Sequence, residues 1–106
     1  MIRKPDAAEN RKTKVAYLRM IDSLLTGVED YVPFALKREF AMLIDDVRYS
    51  DPMSAPELTG MEEQIEANTV VLCEMIRRGE TDNLADQIKR LRAAVQERAE
   101  RTRLLK

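Results

Sequence analysis

The sequence predicts an all-α protein, a compact bundle of four helices whose C-terminal two form an antiparallel hairpin. Three observations predict it. Apolar residues recur every three or four positions through four segments, and they alternate nowhere for the length of a strand. Glycine and proline fall between those segments, at Gly27, Pro33, Pro52, Pro56 and Gly79, where helices start and stop. With three glycines and four prolines in 106 residues, the chain lacks the turn chemistry that a strand-rich fold consumes. That length suits one core, so the whole of 1–106 reads as a single helical domain with helices over about 7–26, 31–48, 55–78 and 82–103.

The first helix opens on Asp6-Ala7-Ala8-Glu9, an acidic cap followed at the third position by glutamate. Its stripe is Val15, Leu18, Ile21 and Leu25, widened by Tyr17 and Leu24, and Gly27 ends it in the left-handed conformation. Asp30 caps the second, with Pro33 in its first turn. Leu36, Phe40, Leu43 and Val47 form its stripe, with Phe34 and Ile44 broadening the face, and Asp51-Pro52 ends it. Ser54-Ala55-Pro56-Glu57 then restarts the chain with a serine cap, a proline in the first turn and a glutamate at the third position.

Along the third helix the stripe reads Leu58, Met61, Ile65, Thr69, Leu72 and Ile76, closed by Gly79. The fourth follows Thr81 or Asp82 as cap and reads Leu84, Ile88, Leu91, Val95, Ala99 and Thr102. Both drift from a strict 3.5-residue repeat toward 3.6, which favours a bundle over an extended coiled coil. The two helices match in length across a short turn, so they fold back on one another.

Composition narrows the chemistry. No histidine is present, which removes the commonest general base and metal ligand, and the single Cys73 has no partner for an internal disulfide. The charged start of the chain is unlike a secretory signal, and no window approaches a membrane span, so the expected location is the cytosol. Cys73 reads as a small buried hydrophobe, and Met20, Met42, Met61 and Met75 as gap fillers of the core.

One run carries a hint of catalysis. Glu62, Glu63 and Glu66 place carboxylates one turn apart, a pattern that holds Mg²⁺ between facing helices when other carboxylates complete it, with Asp45 and Asp46 the nearest candidates. The run resembles that of helical nucleotide pyrophosphohydrolases of the MazG type, which continue with E-x-x-D. Here Glu74 is followed three positions on by Arg77, and Glu80 by Asn83, so the second half of the pattern is missing. Glu62, Glu63 and Glu66 therefore read as the solvated face of helix three, with no cofactor and no metal ligand assigned.

Charge is segregated. Residues 1–14 hold five basic and two acidic side chains, residues 89–106 hold seven and two, and the middle holds six and fifteen. Either the basic ends converge into a patch for phosphates or an acidic protein, or they attract the acidic middle within the fold. The expectation is a non-enzymatic protein-interaction, regulatory or accessory subunit, with a homodimer as one form of partnership and helix four supplying the dimer surface. A nucleic-acid accessory role and a Mg²⁺-dependent hydrolase are the alternatives. Tyr49 and Met53 in the irregular connection, and Arg90, Arg98, Arg101 and Arg103 on the basic tail, are the candidate partner-binding residues.

Overall fold

A computed structural model describes residues 7–51 and 55–105, with side chains from Tyr17 onward. Four α-helices and no strands occur among the described residues: α1 (Ala7–Thr26), α2 (Lys37–Arg48), α3 (Thr59–Arg77) and α4 (Leu84–Leu105). The expected caps Asp6 and Ser54, and Pro52, lie outside those residues. Each helix packs on two others: α1 on α2 and α3, and α4 on α2 and α3. The result is an all-helical compact globule. Its core joins Ile21 and Leu25 of α1 to Phe40, Leu43 and Val47 of α2, Leu72 and Ile76 of α3, and Leu84, Ile88 and Leu91 of α4.

Helix α1 ends at Thr26 as the glycine rule places it, but Gly27 does not adopt a positive φ. The chain instead tightens, with Val28 N–H donating to the Leu25 carbonyl at 3.2 Å, and Val28 drops fully into the core. Helix two begins at Lys37, six residues later than expected. Val32 (ψ 132°) and Pro33 (ψ 141°) are extended, because a proline ring crowds the residue before it out of the helical region. The segment breaks into two short 3₁₀ turns, Glu29–Tyr31 and Phe34–Leu36, and Asp30 lies inside the first without capping anything. Phe34 is thereby displaced from the core face it was expected to broaden and stands 90% exposed.

Pro56 does open the third helical segment, as a 3₁₀ turn over Pro56–Leu58 that runs into α3. At the far end Gly79 takes φ 72°, with its N–H on the Ile76 carbonyl and the Glu80 N–H on that of Met75. These two bonds satisfy carbonyls that a helix end otherwise leaves open, and they need a residue without a side chain at the left-handed position. Asn83 (φ 65°), rather than Thr81 or Asp82, leads into α4, and its carbonyl accepts the Gln87 N–H at 2.9 Å.

The seam residues differ in two places from the sequence expectation. Buried positions on the third segment are Leu58, Glu62, Ile65, Thr69, Leu72 and Ile76, with Cys73 beside them; on α4 they are Leu84, Ile88, Leu91, Val95, Arg98 and Thr102. Both sets step strictly by four and three, so the expected drift toward a 3.6-residue repeat does not occur in either seam. Glu62 replaces the expected Met61 and Arg98 the expected Ala99, and they do so together because they meet: Arg98 donates to a Glu62 carboxylate oxygen at 3.3 Å, with side-chain exposures of 1% and 5%. Glu62 therefore does not belong to a solvated face.

Candidate functional site

Polar ties cross each of the four helix contacts. Arg48 meets Asp22 at 3.2 Å between α2 and α1, and Arg92 meets Asp46 at 2.9 Å between α4 and α2. Arg98 joins α4 to α3 through Glu62 and also donates to the Asp51 carbonyl at 2.9 Å, holding the chain just past α2. Between α3 and α1 the Tyr17 hydroxyl donates to the Glu62 carbonyl at 2.7 Å, and the Cys73 thiol to that of Leu24 at 3.3 Å. Burial, reinforced by the Glu62 charge, pushes the Tyr17 hydroxyl far above the usual phenol range, and burial raises the Cys73 thiol. Both groups stay protonated at neutral pH and serve as donors.

These ties rearrange the expected sites. Arg98 is a core residue, not part of a basic surface. Arg103 is exposed and hydrogen-bonded to Glu100, whose carboxyl it holds below the usual range, while Arg90 and Arg101 are exposed. The Met53 side chain, and those of the basic N-terminal segment, lie outside the described residues. Of the carboxylates considered for a metal, Glu62 faces Arg98, Asp46 faces Arg92, and Asp45, Glu63 and Glu66 are exposed. Among the described residues no group of three or more acidic or cysteine side chains gathers around one point. A cavity of about 10 Å³ beside Tyr17, Ile21, Val95 and Arg98 has room for roughly one water.

Several large apolar side chains remain outward. Tyr49, at the end of α2, is 86% exposed, Tyr31 69% and Phe34 90%, so three of the five aromatic residues face solvent. The face of α2 opposite Phe40, Leu43, Ile44 and Val47 carries Arg38, Ala41, Met42 and Asp45, all exposed, with Phe34 and Tyr49 at its two ends. Helix α4, the expected dimer surface, has turned its stripe inward and shows only Leu104 and Leu105 among its large apolar residues. Sequence reasoning found Tyr49 but assigned Phe34 to the core. The available signal was Pro33, which cuts Phe34 off from the helix that follows.

No family model matches the chain, and neither a curated protein nor a solved structure matches it. No helix among the described residues is long and apolar enough to cross a membrane.

Proposed function

We propose that this chain works by contact, as a cytosolic protein-interaction, regulatory or accessory subunit, and that the outer face of α2 with its flanking turns is the contact surface. The observation that carries this reading is the exposure of Phe34 at 90% in the turn before α2, beside a core that takes in nearly every large apolar residue of α2 itself. Leaving a phenylalanine in water forgoes about 1.5–3 kcal/mol of burial, and aromatic side chains recover that on a partner. In this reading α3 and α4 form an antiparallel hairpin that braces the surface from behind. Support for the hairpin comes from Glu62, in the first turn of α3, meeting Arg98 in the second half of α4.

A nucleic-acid accessory role through the basic ends has less behind it, because Arg92 and Arg98 each face a carboxylate of the fold. The test is a Phe34→Ser, Tyr49→Ser double variant. It should melt within about 3 °C of the parent, since neither side chain is buried, and lose the parent's specific contacts in co-purification. Unchanged contacts would remove the α2 face from the proposal. Binding to DNA or RNA that weakens steeply with salt would favour the other role.

A further inference from the structure

The outer face of α2 reads the same from either end. Within α2, the exposed Arg38, Ala41, Met42 and Asp45 are separated by three, one and three positions about a midpoint between Ala41 and Met42, and the exposed Phe34 and Tyr49 lie four positions further out in the flanking turns. At 3.6 residues per turn the four helical positions lie on one side of α2, away from Phe40, Leu43, Ile44 and Val47, which are 3% exposed or less. The chemistry is complementary about that midpoint as well as symmetric. Aromatic stands opposite aromatic at the ends, small aliphatic opposite methionine at the centre, and the basic Arg38 opposite the acidic Asp45. Neither of that charged pair is in an ion pair with another described residue, and they are too far apart along α2 to meet within one chain.

We propose that the occupant of this face is a second copy of the same chain, its α2 antiparallel to the first across a twofold axis between Ala41 and Met42. This rests on the reading of α2 as the contact surface and names what it contacts. In that arrangement each Arg38 faces the other copy's Asp45, twice over, and each Phe34 lies beside the other copy's Tyr49. A self-complementary patch is what a twofold interface requires. A parallel pairing is disfavoured because it sets Arg38 against Arg38 and Asp45 against Asp45. Helix α2 has 12 residues, about 18 Å, so the interface sits at the small end of the range and the dimer is weak and concentration-dependent.

Sedimentation equilibrium on the whole chain tests this, using charge reversal at positions that touch nothing in the core. The parent's weight-average mass should rise from that of one chain toward two between about 10 µM and 1 mM. Arg38→Asp alone and Asp45→Arg alone should each weaken association by about tenfold or more, since each sets like charges opposite one another. An equimolar mixture of the two variants should recover association, because one copy is now wholly acidic and the other wholly basic on this face. The Arg38→Asp, Asp45→Arg double variant should recover it too. A parent that stays monomeric to about 1 mM overturns the proposal, as does a dimer indifferent to either reversal or a mixture no tighter than its components. A monomeric parent whose contacts with another protein are still lost in the Phe34→Ser, Tyr49→Ser variant would leave the contact surface standing and remove only the self-pairing.

Discussion

Replacing Arg98 by methionine is the most demanding perturbation this fold offers. The guanidinium is 1% exposed and lies 3.3 Å from a Glu62 carboxylate that is itself 5% exposed, while it also holds the Asp51 carbonyl at 2.9 Å. Removing it takes a buried countercharge away from a carboxylate in the seam, which costs about 3–5 kcal/mol. A domain of this size has roughly 5–15 kcal/mol of stability in all, so the variant should lose a fifth or more and melt at least about 12 °C lower. Adding Glu62→Leu to the same chain removes the carboxylate as well. The double variant should then be more stable than Arg98→Met alone and approach the parent, with the lost bond to the Asp51 carbonyl leaving it about 1–3 kcal/mol short. Urea unfolding followed by circular dichroism reads all of these. The reasoning fails if Arg98→Met loses less than about 1 kcal/mol, as an exposed pair would. It also fails if the double variant loses the sum of the two single ones.

Three further outcomes follow from local geometry. Gly79→Ala should cost about 1–2 kcal/mol from backbone strain alone, since φ is 72° and no atom stands within 4 Å of the added carbon. Gly60→Ala, in α3 with equally open space, should instead gain about 0.5–1 kcal/mol; paired melts compare them, and equal shifts would refute the assignment of Gly79 to the left-handed region. The Cys73 thiol, buried and donating to Leu24, should react with an aromatic disulfide reagent at least about 100-fold more slowly in the native protein than in urea. Tyr17 is held neutral by burial, so its contribution to stability is complete below pH 10 and falls as pH rises above that, where the unfolded chain ionises first. Tyr17→Phe should flatten that decline in urea melts at pH 9 to 11, while costing about 0.5–1.5 kcal/mol at pH 7.

What the sequence made legible is what is decided within a few residues. The end of α1 before Gly27, the end of α2 at Arg48 and the glycine-terminated α3 were all predictable because caps and breakers act locally. The start of α2 was not, although its cause is equally local: Pro33 reads as a helix opener, but Val32 and Pro33 itself are extended instead. Glu62 and Arg98 were illegible for a different reason. A charged side chain enters a seam only when its partner does, and these partners lie 36 positions apart. The strict four-and-three spacing through Leu58, Glu62 and Ile65, matched by Val95, Arg98 and Thr102, was present in the sequence. Reading it required accepting opposite charges as seam residues on two helices at once. The same pairing explains the segregated charge, since Arg92 and Arg98 of the basic tail meet Asp46 and Glu62 of the acidic middle.

A fold that buries most of its leucines while leaving a phenylalanine out makes one physical demand: Phe34 and Tyr49 must be wet in the isolated chain and Phe40 dry. Aromatic-proton relaxation by a soluble gadolinium chelate, measured on dilute protein, reads this directly. Strong enhancement at the rings of Phe34 and Tyr49 with little at Phe40 is the predicted pattern, and a Phe34 ring as protected as that of Phe40 would contradict it.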